Sequence, residues 1–360
     1  MQEITVTEND RILIIAPHPD DECCGAGGIL FRYPKKCSVL VLTDGRQGQG
    51  DILPEKLKEI RLHEFIDEMK WLGITSFHNL QIEDGTLLAH TDCLENYSLL
   101  NYTKIFVTGL NDSHPDHKAA FLCLKNAINK QKNVVVNQNN LDSSKDVRIP
   151  QCFSYEVHTP LQNPTHFSDI TNIISDKLKL IQFHRSQLKE LPYDVLAEQF
   201  AAFRGTLFRM PGKKIEVYEE VTIDEVDGKG ISETDILLQK ERVIGWILKR
   251  WVSRLQKGIR FSKYLINNGI QELYVYGYGD IGKLLLSELL EDGFNVRAVI
   301  DRRASQFNNE IINIVTINEA DPKIPVIVTV IGEREKIESL LTEKGFIRIF
   351  FLKNMLESEE

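Results

Sequence analysis

An α/β fold is the expectation for this chain: a mostly parallel sheet with flanking helices over residues 1–225, then a second, smaller α/β domain over residues 269–360. Three observations predict it. Short apolar runs alternate with stretches of helical periodicity through the first half. A chain of 360 residues is long for one hydrophobic core. A fresh β-α-β pattern with a glycine-rich turn starts near residue 271, beyond the acidic, apolar-poor stretch Glu219–Lys229.

The elements follow in order. Arg11–Ala16 holds the unbroken apolar run Ile12–Ala16 and reads as a buried strand. Gly25–Arg32 reads as the helix after it, and Cys37–Leu42 as a second strand that ends in the turn signal Thr43-Asp44-Gly45. Leu57–Leu72 is helical, with Ile60, Phe65, Met69 and Leu72 near one face. Ile105–Val107 is a third strand, and His117–Lys130 a helix with Phe121, Leu122, Leu124 and Ile128 apolar. Asn137–Asp146 is polar and Asn-rich, the composition of an exposed loop or flap. Phe153–His158 and helices around Ile173–Phe183 and Tyr193–Phe203 complete the first domain. Residues 226–268 are expected to hold a linker and a basic amphipathic helix. The C-terminal part is read as strand Leu273–Tyr276, helix Lys283–Leu290 and strand Asn295–Ile300. Strands Val326–Ile331 and Ile347–Leu352 then flank a helix at Glu333–Glu343.

Totals narrow the function classes. Apolar residues make up 42% and charged residues 26%, ordinary values for a globular chain. The net charge of −9 argues against nucleic acid as a partner, because phosphate binding needs an excess of Lys and Arg. The six Cys show no CxxC pairing and read as reduced thiols of an intracellular, cytoplasmic protein. The first ten residues have neither a basic n-region nor an apolar h-region, so no signal peptide is expected.

The chemistry concentrates in two clusters. Ala16-Pro17-His18-Pro19-Asp20-Asp21-Glu22 follows the first strand, and Ser113-His114-Pro115-Asp116-His117 follows the third. In open α/β sheets ligands bind outside the carboxyl ends of strands. Either cluster alone reads as well as a capping turn or a surface loop. Two of them, each between a strand and a helix, point to a catalytic zinc site. Such a site takes three N or O ligands and leaves one position for water. His18, Asp21 and His117 can be those ligands, with another divalent metal as the alternative occupant. Asp20 can then take a proton from water as general base. His114 can stabilise an oxyanion or protonate a leaving nitrogen, and Asp116 can set its tautomer. Glu22 reads as a hydrogen-bond acceptor behind the ligands or as a helix cap. His158 and His184 are minor pocket candidates, and Cys23 and Cys24 read as packing residues.

Pro17–Glu22 with Gly25-Ala26-Gly27-Gly28, and His114-Pro115-Asp116-His117 downstream, resemble the LmbE/PIG-L family of zinc-dependent de-N-acetylases. The likeness extends to Thr43-Asp44-Gly45, Arg61 with Glu64, Asp84-Gly85, Tyr155-Glu156, His184-Arg185-Ser186-Gln187 and Arg204-Gly205, and so spans most of residues 8–220. It implies a Rossmann-like α/β layer fold and removal of acetyl groups from N-acetylglucosamine units in glycoconjugates. It also implies zinc on His18, Asp21 and His117, Asp20 as base, and His114 with Asp116 behind it at the tetrahedral intermediate. Arg61 and Asp84 match positions near the substrate in that family. Ile215-Glu216-Val217-Tyr218 departs from the family pattern, which leaves the substrate open. A zinc amidase acting on a non-sugar acyl amide is the alternative hydrolase, and a nucleotide-binding or oxidoreductase protein the alternative from another class.

Two further features lie downstream. Gly277, Gly279 and Gly282 fit a dinucleotide fingerprint after a strand, with Asp301 about 20 residues on, where a ribose hydroxyl is read. They imply a Rossmann-like module with NAD(P) or another nucleotide, or else simply close packing of strand on helix. Residues 240–263 hold eight Lys or Arg against one Glu, with Ile244, Ile247, Trp251 and Leu255 at helical spacing. This helix reads as a connector packed on a domain, as a peripheral membrane contact, or as a contact between copies in a homo-oligomer.

Overall fold

The computed structural model describes all residues except 48–51, 140–146, 190–191, 224–232, 308–311, 332–333 and 358–360. The chain divides into two compact units, Met1–Ile236 and Leu237–Glu360.

The first unit is built on eight strands: β1 (Gln2–Glu3), β2 (Ile12–Ala16), β3 (Cys37–Thr43), β4 (Phe77–Ile82), β5 (Lys104–Thr108), β6 (Gln151–Tyr155), β7 (His166–Asp169) and β8 (Ile215–Val221). Their order in the sheet is β1-β7-β8-β6-β5-β2-β3-β4. β6, β5, β2, β3 and β4 run parallel, while β8 is antiparallel to both β6 and β7.

The helices of this unit are α1 (Asp21–Arg32), α2 (Pro54–Leu72), α3 (Pro115–Asn139), α4 (Ile174–Ile181), α5 (Arg185–Leu188) and α6 (Tyr193–Leu207). Both faces of the central strands are covered, which is why β2 and β3 read as continuous apolar runs. One face carries Ile12, Ile14, Val39 and Val41 against Ile29, Phe65 and Met69 of α1 and α2. The other carries Leu13, Ile15, Leu40 and Ile105 against Ala120, Phe121 and Leu124 of α3.

β2 lies between β3 on one side and β5 on the other, so the chain reverses its direction across the sheet there. A crevice forms at such a switch point, outside the strand ends. The segments leaving β2 and β5 are the two chemical clusters.

One expectation needs correction. Asn137–Asn139 end α3 instead of opening a loop, and the rest of that stretch lies outside the described residues. Glu219, Glu220 and Val221 belong to β8, and the acidic stretch from residue 224 onward lies outside the described residues.

The second unit holds five parallel strands: β9 (Glu272–Tyr276), β10 (Asn295–Ile300), β11 (Ile314–Val315), β12 (Val326–Val328) and β13 (Ile349–Phe351). Their order is β11-β10-β9-β12-β13. Helices α7 (Glu233–Gln256), α8 (Phe261–Asn267), α9 (Asp280–Glu291), α10 (Arg334–Glu343) and α11 (Leu352–Glu357) complete the chain. Residues 226–268, read as a linker and a basic amphipathic helix, hold α7 and α8, with residues 224–232 outside the described ones. Val243, Ile247 and Trp251 pack with Phe261, Leu265, Leu285 and Met355. The indole of Trp251 donates to Glu288, whose other oxygen accepts from Phe261 N at 2.9 Å. Leu248, Val252 and Leu255 stay exposed on α7. Among the described residues no helix is long and apolar enough to cross a membrane.

Candidate metal and active site

The turn after β2 is pinned to the end of β3. Thr43 donates to Pro17 O through both its backbone N–H (2.9 Å) and its hydroxyl (2.8 Å). His18 N–H donates to Asp21 Oδ2 at 2.9 Å, and His18 Nδ1 lies 3.0 Å from the same oxygen. Asp20, between them, takes φ 150° and ψ −21°, a backbone conformation unusual for a non-glycine residue.

The turn after β5 delivers the second cluster. Pro115 starts α3, where a missing N–H costs nothing. His117 follows in the first turn, fully buried, and Thr108 of β5 donates to its carbonyl at 2.8 Å. His117 Nε2 lies 3.2 Å from Asp21 Oδ2, and its Nδ1 lies 3.2 Å from Asp112 Oδ2. One carboxylate oxygen of Asp21 thus stands against both His18 and His117, whose ring centroids are 5.4 Å apart. His114 packs against both rings, at 4.8 Å from each.

The donor set suits a divalent cation. His18, His114 and His117 offer nitrogens within 4.8 Å of one another, and Asp21, His117 and His158 form a second such group. Both buried nitrogens of His117 lack a well-formed hydrogen bond. Burial alone would favour neutral imidazoles, but the carboxylates win. His117 is pushed up to about 9 by Asp21 and Asp112, and His18 is pushed well up by Asp84, Asp116 and Asp21. Asp21 and Asp84 are held well below the usual carboxylate range against their own burial, by His117 and His18 respectively.

The remaining expected residues sit as follows. Asp84, on the loop after β4, places Oδ1 3.3 Å from His18 Nε2 and accepts Gln47 N through Oδ2 at 3.0 Å. Asp116 accepts Gly85 N at 2.7 Å and Leu87 N at 3.3 Å, and lies 3.4 Å from His18 Nε2. Its link to His114 runs through its backbone N–H, which donates to His114 Nδ1 at 3.2 Å. Acceptance at Nδ1 puts the proton of a neutral His114 on Nε2. Arg61, expected near a substrate, is 3% exposed. Its guanidinium donates to Asp20 Oδ1 at 2.8 Å, Pro19 O at 3.0 Å and Gly45 O at 2.9 Å, so it serves Asp20 and the turn.

Sequence reasoning missed Asp112 as the partner of His117, because nothing local marks a residue whose role is set by a ring five positions on. His158 was only a minor candidate, yet its exposed ring stacks on His117 with centroids 5.0 Å apart. His184 joins Glu22, Cys23 and Glu68 in a separate buried cluster. The Cys23 thiol donates to Asp20 O at 3.1 Å, and burial raises it well above the ordinary thiol range.

In the second unit, Gly277 has φ +102°, and a Cβ on Gly282 would lie 1.9 Å from Gly277 O. Asp301 accepts Tyr278 N and Arg303 N, each at 2.8 Å. Close packing therefore accounts for Gly277 and Gly282, and loop backbone occupies the Asp301 carboxylate. Gly279 alone is not demanded by packing.

Fold and site define an α/β protein with a largely buried His–carboxylate cluster at the switch point of its larger sheet. Residues 13–128, the segment that supplies most of this cluster, match the PIG-L family, described as GlcNAc-PI de-N-acetylase. The N-terminal half therefore carries a PIG-L family domain. The chain is 28% identical over 195 residues to the diacetylchitobiose deacetylase of Thermococcus kodakarensis, covering 50% of this chain and 71% of that protein. It is 33% identical over 85 residues to the 1D-myo-inositol 2-acetamido-2-deoxy-alpha-D-glucopyranoside deacetylase of Kineococcus radiotolerans, covering 21% of this chain and 24% of that one. Among solved structures, the N,N'-diacetylchitobiose deacetylase from Pyrococcus horikoshii aligns at 22% identity with a TM-score of 0.47, over 59% of this chain and 84% of that one.

Proposed function

We propose that the first unit is a zinc-dependent hydrolase that removes the N-acetyl group from an amino-sugar unit of a glycoconjugate or polysaccharide precursor. One observation carries the reading: Asp21 Oδ2 stands 3.0 Å from His18 Nδ1 and 3.2 Å from His117 Nε2, with Asp20 next in the chain. The family match and the two deacetylase relatives favour an N-acetylated sugar over other amides.

His18, Asp21 and His117 would hold the metal. When bound, zinc supplies Lewis acidity and makes water a nucleophile near neutral pH. Asp20 takes the proton of the attacking water, with one carboxylate oxygen fixed by Arg61. The water oxygen bonds to the acyl carbon, the carbon–nitrogen bond breaks, and the amine leaves with a proton as acetate forms. His114 presents Nε2–H to the developing oxyanion, its other nitrogen engaged by the Asp116 backbone. Asp112 fixes the His117 ring. We assign no nucleotide chemistry to the Gly277–Gly282 loop, because packing and the Asp301 contacts account for most of its features.

Acetate release from N-acetylhexosamine derivatives, set beside N-acetylated peptides, tests the reading. Asp20→Asn is expected to retain bound metal and lose roughly 10²–10⁴-fold in turnover. His117→Ala is expected to lose the metal. Full activity after exhaustive chelation, or turnover on the peptides alone, would overturn the assignment.

A further inference from the structure

A second buried cluster lies under the first turn of α1. Glu22 and Glu68 are fully buried and His184 nearly so, from α1, α2 and the residue before α5 respectively. His184 Nε2 is 2.9 Å from Glu68 Oε2 and 3.7 Å from Glu22 Oε1. Glu22 Oε2 accepts the backbone N–H of Asp20 at 3.1 Å. The other oxygens of both carboxyls, Glu22 Oε1 and Glu68 Oε1, have no hydrogen-bond donor among the described residues. Glu22, Glu68 and His184 bring one polar atom each within 4.8 Å of one another, and buried carboxyls are tolerated where donors reach them, as Asp20 N–H reaches Glu22 and His184 Nε2 reaches Glu68.

The chain of contacts ends on a residue with φ 150°. Asp20 is gripped at two points. Arg61 holds its carboxylate, and Glu22 holds its N–H. A rare backbone conformation persists only where its surroundings over-determine it. Nothing in the proposed chemistry uses Glu22, Glu68 or His184 directly.

We propose that Glu22, Glu68 and His184 are positioning residues that lock the Asp20 backbone, so that its carboxylate faces the reacting water. The inference rests on the deacetylase reading for its kinetic consequence, but its structural consequence stands apart from it. Glu22 offers an acceptor to Asp20 N–H. Glutamine keeps that acceptor, and leucine does not.

The experiment compares Glu22→Gln and Glu22→Leu in the full chain. Kinetics, metal content and a crystal structure are read for each. Glu22→Gln is expected to keep kcat within about threefold of the parent, since it keeps the acceptor for Asp20 N–H. Glu22→Leu is expected to lose roughly 10²-fold in kcat at unchanged KM and metal content, with Asp20 relaxed to negative φ. In an Asp20→Asn background the same leucine change should cost nothing further, because it acts through Asp20. Equal damage from glutamine and leucine, additive losses, or an unchanged Asp20 φ in the leucine variant would each overturn the proposal. If the leucine variant does not fold, Glu68→Met against Glu68→Gln takes its place with the same expectations. A parent chain without acetate release would sink the deacetylase reading, while the φ of Asp20 would still decide this one.

Discussion

Asp20 is where this chain spends conformational energy. A non-glycine residue at φ 150° costs on the order of 1–3 kcal/mol. The buried Arg61 guanidinium offsets that through charge-assisted hydrogen bonds to Asp20 Oδ1 and to Pro19 O. The carboxyls beneath it have a consequence for stability. Glu68 is pushed up to about 8 from an ordinary 4.5, chiefly by burial. Between those values the folded chain keeps a proton that the unfolded chain releases. Its contribution to stability therefore falls as pH rises from about 4.5 to 8, by up to about 1.4 kcal/mol per pH unit. Glu68→Gln removes the titration, so melting temperatures recorded from pH 5 to 8 should decline less steeply in the variant. Parallel curves for the two proteins would contradict this. The six residues of the two clusters stood out as candidates because histidines and carboxylates crowd strand ends. Arg61 stood out only through the family resemblance, as a residue near a substrate, since its direction depends on where α2 lies against the turn.

At the level of helices and strands, α1 sits as close to the sheet as it does because its first half is nearly bare. A Cβ on Gly25 would lie 2.0 Å from the ring of Tyr155, which is fully buried and donates through its hydroxyl to Ile15 O at 2.9 Å. The ring cannot retreat without leaving β2. Gly25→Ala is therefore expected to destabilise the first unit by about 1–3 kcal/mol and to weaken metal binding, since Asp21 lies on the same turn. Thermal melts and a metal titration check both effects; a variant with unchanged melting temperature would show that α1 can slide. The central strands β2, β3 and β5 and helix α2 could be read from apolar runs and helical spacing. β7 and β8 could not. β8 puts Glu216 in the interior, where it pairs with Lys177 at 2.7 Å and accepts Gly28 N at 3.0 Å. A charge inside a strand hides the hydrophobic pattern that marks one, and antiparallel pairing of distant segments leaves no local trace.

Across the two units, each hydrophobic core is assembled from its own segment of chain. Trp251 is, among the described residues, the largest fully buried side chain of the second, packed edge-on against Phe261 with centroids 5.1 Å apart. Trp251→Ala is expected to cost about 3–5 kcal/mol there and to leave the Glu288 carboxylate short of a donor. Calorimetry should show the second unit melting earlier while the first unit's metal affinity is kept; a joint loss would mean the cores are not separate. Composition, strand-helix alternation and the two His–Asp clusters were enough to determine an α/β chain with His–carboxylate clusters at its strand ends, because periodicity and residue type are local properties. Which carboxylate meets which imidazole, that Arg61 turns to Asp20, and that Val243, Ile247 and Trp251 join a core were decided by packing alone. Those outcomes depend on side chains tens or hundreds of positions apart meeting in a dry interior, where distance and burial set both geometry and charge.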